Sequence, residues 1–177
     1  MERLPTPAER LAAEGGSLYA VLDAARDPAV LEMVEACPEE HESLYEGEQA
    51  EELAEVAPGL VRIPAGSSFL TDLLAASWGK SWGIFLTCEK PLAEVRRHLR
   101  HFLRVEFEGE GVVLFRFYDP RVLRVFLPTC SAAQAGELFG PIATFAIESK
   151  DGMGLLTVRR DASGAVQTAR TPVGAAT

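Results

Sequence analysis

Residues Val112–Pro128 read VVLFRFYDPRVLRVFLP, and the fold class turns on this stretch. Val113, Phe115 and Phe117 alternate with Leu114, Arg116 and Tyr118. A period of two in β-branched and aromatic residues predicts a strand buried on at least one side. Asp119-Pro120 stops it. Aspartate is a good helix N-cap and proline is pre-set for the first helical position. Val122, Leu123, Val125, Phe126 and Leu127 then form the apolar side of a short helix. The reading gathers Arg116, Tyr118, Asp119, Arg121 and Arg124 at one strand-to-helix corner. Such a corner is either a functional site or, more commonly, a knot that satisfies its own buried polar groups.

Upstream of it, Pro91–Leu103 is the clearest helix, with Leu92, Val95, Leu99, Phe102 and Leu103 as an inner stripe. Arg96, Arg97, Arg100 and Arg104 lie outside that stripe. Gly109-Glu110-Gly111 joins Val105–Glu108 to Val112–Tyr118 as a hairpin loop. Trp82–Cys88 is nearly all apolar, as in a central strand buried on both faces. Strands are expected at Ser17–Asp23 and Gly59–Pro64, and helices at Pro28–Ala36, Glu48–Ala57 and Phe69–Trp78. Downstream, Ser131 caps a helix over Ala132–Phe139, and Ile142–Glu148 and Leu155–Arg160 flank an Asp151-Gly152 turn. The expectation is one mixed α/β (α+β) domain over residues 17–160, with a largely buried mixed sheet covered by helices. Residues 1–16 read as a loose lead-in with a possible helical turn at Ala8–Ala13, and 161–177 as a small, polar, flexible tail.

The 177 residues suit a single core. No apolar run approaches the ~20 residues of a membrane span, and no apolar leader opens the chain. Cys37, Cys88 and Cys130 are too few and too widely spaced for a disulfide framework, which points to a reducing cytoplasm. The formal charge of −9 argues against nucleic acid as a partner. That charge is polarised. Ten glutamates and no lysine or arginine lie between Arg26 and Arg62, whereas Lys90–Arg124 holds eight basic and five acidic residues. Such polarity suits steering of a protein partner, although a solvated acidic helix face explains the glutamates alone.

Gly79-Lys80-Ser81-Trp82-Gly83 matches the G-x-S-x-G nucleophile elbow. Its context is inverted, with a helix before and a strand after, and no histidine follows Asp119. A helix-ending glycine and a tight turn explain it better. The pairs His98/His101 and Cys37/His41 have helical spacing for a metal, but each lacks further ligands in sequence reach. The cysteines read as small buried hydrophobes. No phosphate-binding glycine motif is present, and no cofactor is expected. The basic helix suits an acidic protein partner or an internal salt-bridge network.

Several segments stand in a familiar order. They run from Leu18-Tyr19-Ala20-Val21-Leu22-Asp23 through Ser43-Leu44-Tyr45-Glu46-Gly47 and Leu53-Ala54-Glu55-Val56-Ala57-Pro58 to Trp78-Gly79 and Trp82-Gly83. Arg97-His98-Leu99-Arg100, Phe115–Leu123 (FRFYDPRVL) and Phe139-Gly140-Pro141 complete the set. This set resembles the effector-chaperone (Tap-type adaptor) family of bacterial type VI secretion over about residues 17–150. The resemblance implies a non-catalytic cytoplasmic adaptor that binds the N-terminal region of one effector and helps load it onto the VgrG spike protein. Tryptophan and arginine are the usual interface anchors. The candidate contact residues are Trp78, Trp82, His98, Arg116, Tyr118, Asp119 and Arg121. The alternative is a small hydrolase using Ser81 or the Asp119/His98 pair.

Overall fold

Helices in this chain begin where the sequence supplies caps. In the computed structural model, which describes residues 3–176, Thr6 and Glu9 close a capping box on α1 (Pro7–Ala12). Asp27 caps α2 (Pro28–Glu35), with Pro28 in the first turn. Ser67 caps α4 (Ser68–Ser77), after the short α3 (Gly47–Glu52). The amphipathic α5 (Leu92–Arg100) starts at Pro91, Asp119 caps α6 (Pro120–Phe126), and Ser131 with Gln134 boxes α7 (Ala132–Phe139).

Among the described residues, seven strands form one sheet in the order β2-β3-β1-β4-β7-β8-β9. They are β1 (Leu18–Asp23), β2 (His41–Ser43), β3 (Pro58–Ile63), β4 (Gly83–Cys88), β7 (Ile142–Glu148), β8 (Gly154–Arg160) and β9 (Val166–Pro172). The mixed α/β class is as expected. The sheet itself is antiparallel at every pairing, so it lacks the parallel pairs of a mixed sheet. Register alternates the side chains cleanly. Tyr19, Val21, Ile84, Leu86, Phe145 and Ile147 face one core, roofed by α5, α6 and α7. Leu18, Ala20, Leu22, Phe85 and Ala146 face the other, roofed by α1, α2 and α4. β1 and β4 are buried along almost their whole length, as a strand sandwiched between two helix layers must be.

Two further expectations fail. The strand expected over 112–118 ends early, as β6 (Gly111–Leu114), which pairs only with β5 (Arg104–Phe107) in a separate hairpin. Val112 and Leu114 are exposed there, so that face of the hairpin is not buried. Phe117 and Tyr118 are buried, but from a turn beneath the helices. The alternation that reads as a strand is a chain of aromatic contacts: Phe115 stacks edge-on against Phe126 at 4.8 Å and Phe117 against Tyr118 at 5.3 Å. The expected flexible tail is also structured over most of its length. Residues 166–172 form β9, and the Gly174 amide donates to the Pro5 carbonyl at 2.9 Å. Residues 1–2 of the expected lead-in and residue 177 of the expected tail lie outside the described residues.

A candidate partner-binding corner

β1 ends at Asp23, which is wholly buried, and the turn before α6 brings Arg116 onto it. One Asp23 oxygen accepts from Arg116, the other from the Ala25 amide at 3.1 Å. Three residues after Arg116, Asp119 is 2% exposed and serves as the N-cap of α6. Its Oδ1 accepts from the Arg121 amide at 2.9 Å and Nε at 3.0 Å, while Oδ2 accepts from Arg121 Nη2 at 2.6 Å. Burial opposes ionisation of Asp119, but the Arg121 hydrogen bonds outweigh it and hold the carboxyl below its ordinary value. Beside the Asp23–Arg116 pair lies the buried Tyr118. Burial, with Tyr45 and Asp23 close by, pushes its phenol up, so it stays neutral. Two carboxylates facing two guanidiniums leave the corner balanced in charge, with the Arg116 and Arg121 side chains 37% and 48% exposed at its surface.

The structure therefore brings Arg116, Tyr118, Asp119 and Arg121 together and separates the remaining candidates. Trp82 is buried in the second core, and only its carbonyl reaches the corner, accepting from the Asp23 amide at 2.7 Å. Trp78 is half-buried, with Nε1 donating to the Gly152 carbonyl at 2.7 Å. His98 lies on α5 with Nε2 bonded to the Leu138 carbonyl at 2.8 Å and its ring edge-on to Phe102 at 5.2 Å. It does not join Asp119.

Ser81 faces Glu148. That carboxylate accepts from the Ser81 amide and hydroxyl at 2.9 and 3.2 Å and from the Gly79 amide at 2.8 Å, which pins the turn between α4 and β4. The Cys37 thiol and His41 ring both turn onto Glu39 backbone atoms, at 3.4 and 2.8 Å. Among the described residues, no three His, Cys, Asp or Glu side chains converge to hold a metal ion. Burial pushes all three thiols up, which keeps them protonated. On α5, Arg96 donates to the Ser43 and Tyr45 carbonyls at 2.6 and 3.1 Å and pairs with Glu42 and Glu46. Arg100 pairs with Glu46 at 2.8 Å. Half of the basic face thus clamps the acidic β2–α3 segment from within, while Arg97 and His101 remain exposed.

Asp23, Tyr45 and Glu148 were not singled out from sequence. Asp23 closes the apolar run Leu18–Asp23 with a charge, and this is the one signal that marks it. No helix is long and apolar enough to cross a membrane among the described residues. A family model described as a domain of unknown function, DUF4123, matches residues 18–137, more than half of the chain. No curated protein and no solved structure matches. The matched region begins with β1 and ends inside α7, and so contains the whole Asp23–Arg121 corner. The chain belongs to the DUF4123 family.

Proposed function

We propose that the protein is a non-catalytic cytoplasmic adaptor that binds the N-terminal region of a type VI secretion effector and helps load it onto the VgrG spike protein. The observation that carries this reading is the DUF4123 match over residues 18–137, which spans most of the ordered segments that resemble the type VI effector-chaperone family. The site chemistry is in keeping with it. Ser81, His98 and Asp119 are each bonded to a different partner in a different part of the fold, so the geometry favours neither arrangement of the hydrolase alternative. The contact surface we assign centres on the exposed parts of Arg116 and Arg121, with the buried Asp23 and Asp119 setting their positions and Tyr118 buried beside them. Arginine held in place by a buried carboxylate loses little freedom on binding, which suits it as an anchor.

The test is a tagged pull-down from the native cell with the bound proteins identified by mass spectrometry. Recovery of a multi-domain toxin together with a spike protein is the expected result. A preparation with no stoichiometric partner overturns the adaptor reading.

A further inference from the structure

The two edges of the main sheet are unlike. β2 spans three residues, too short to template another strand, whereas β9 spans seven. The β8–β9 register shows which way its backbone groups point. The Asp161 amide donates to the Ala165 carbonyl and the Val173 amide to the Met153 carbonyl, which fixes the alternation at both ends of the ladder. Between them, Gln167, Ala169 and Thr171 sit at hydrogen-bonded positions opposite Arg159, Thr157 and Leu155. Val166, Thr168 and Arg170 sit at the alternate positions, so their amides and carbonyls point away from β8, along the open edge. Pro172 falls on that same outward set, where the missing amide costs the ladder nothing. Residues 167–170 are all exposed.

The edge also has a charge. On the face shared with α6 and α7, the Arg170 side chain borders a shallow cavity of about 620 Å³ with Arg124, Lys150 and Leu156. Arg160, paired with Val166, lies over the Phe139 ring on the same face. Asp151 answers Arg170 at 2.9 Å, but among the described residues no carboxylate lies within ion-pair distance of Arg124, Lys150 or Arg160. A strand laid antiparallel along β9 sets one side chain beside Arg170, at the rim of the cavity that Arg124 and Lys150 line, and another, four residues on, beside Val166. An acidic residue fits the first place. A second copy of this chain, joined through a two-fold axis at Thr168, would instead set Val166 beside Arg170 and bring no carboxylate to it.

We infer that the free edge of β9 accepts an extended acidic segment of the effector as an eighth strand, a carboxylate falling beside Arg170. This rests on the adaptor reading for the identity of the partner; the edge and its charge stand on the fold. Main-chain hydrogen bonds would supply affinity, and the acidic position register and specificity.

The test titrates the full chain with two blocked peptides, acetyl-TEVTVET-amide and acetyl-TKVTVKT-amide, and follows backbone amide resonances by NMR. The expected result is saturable shifts at Val166, Thr168 and Arg170 with the acidic peptide, and binding about tenfold weaker with the basic one. Thr168→Pro removes an outward amide without touching the β8 ladder, so it abolishes the shifts and leaves the melting temperature close to wild type. Arg170→Glu, which needs no proline to be tolerated, reverses the preference between the peptides. No saturable shift, equal binding of the two peptides, or shifts that map elsewhere overturns the proposal. Concentration-dependent change at the same amides without peptide also overturns it, by assigning the edge to a second copy. Failure of the adaptor reading shows separately, as a pull-down without an effector while the acidic peptide still binds.

Discussion

Glu148 on β7 takes hydrogen bonds from both the amide and the hydroxyl of Ser81, a residue whose φ of +59° lies in the left-handed region. With the Gly79 amide on its other oxygen, the buried carboxylate satisfies a turn whose buried Ser81 amide would otherwise be orphaned. Removing the acceptor in Glu148→Ala leaves that buried amide unpaired and is expected to cost about 1–3 kcal/mol. Ser81→Gly loses one hydroxyl bond of about 1 kcal/mol but relieves a left-handed serine by a similar amount, and so should be nearly neutral. Urea denaturation of the two variants separates them; equal losses would mean that the turn is not what Glu148 supports.

The acid side of the stability profile tests Asp119. Its folded carboxyl is held below the ordinary value of 3.8, so its contribution is complete above that value and is lost as pH falls through the lower, folded one. Asp119→Asn keeps an acceptor for the Arg121 amide and discards the charge pairing with a half-exposed guanidinium. The expected loss at neutral pH is about 1–2 kcal/mol, with a shallower decline below pH ~4 than the wild type shows. Denaturant midpoints between pH 2 and 7 check both. Asp151 and Asp161, each held at about 2, keep part of the acid slope in the variant.

Arg116 tests whether the corner is framework or contact surface. Arg116→Ala strands Asp23, which is wholly buried, whereas Asp23→Asn with Arg116→Ala removes the charge along with its partner. The single change is expected to cost about 2–4 kcal/mol, discounted for a guanidinium 37% exposed, and the double change less than the single. Arg121→Ala leaves the buried Asp119 only the backbone amide of position 121 and is expected to cost about 1–2 kcal/mol, discounted for a guanidinium 48% exposed. If the corner is the contact surface, Arg121→Ala weakens effector capture with folding intact. Circular dichroism beside the pull-down reads the two effects apart.

What the sequence shows about this fold depends on whether an element advertises its burial. α5 and α7 are legible because a stripe of Leu92, Val95 and Leu99, or a Ser131–Gln134 capping box, is a local signal. β4 is legible because a strand covered on both faces must be continuously apolar. β9 is not. VQTARTP is an exposed edge strand held by β8, and its polar composition resembles that of a tail. Phe115–Tyr118 misleads in the opposite sense, since aromatic residues packed in a turn alternate as strand residues do. The Arg116–Arg121 half of the corner is local and could be read. Asp23 and Glu148 meet their partners across 93 and 67 residues of chain, and no periodicity reports a contact of that range.

His98 and Gly140 supply the last test, because two separate constraints meet at one glycine. Gly140 ends α7 with φ +49° and ψ −115°, a conformation that side chains rarely adopt. A Cβ placed there would also lie 2.4 Å from His98 Cε1, well inside van der Waals contact. Gly140→Ala therefore carries backbone strain and a clash with a ring that Phe102 and the Leu138 carbonyl hold in place, for an expected loss of about 2–4 kcal/mol. His98→Ala alone forfeits the ring's packing and its hydrogen bond, about 1–2 kcal/mol. The double variant removes the clash but keeps the strain. It should therefore lose at least about 1 kcal/mol less than the sum of the singles, measured as a coupling energy in a double-mutant cycle. Strict additivity would mean that the backbone conformation alone demands glycine. It would also mean that the apposition of α5 and the end of α7, and with it the Phe139-Gly140-Pro141 segment, is not set by the histidine.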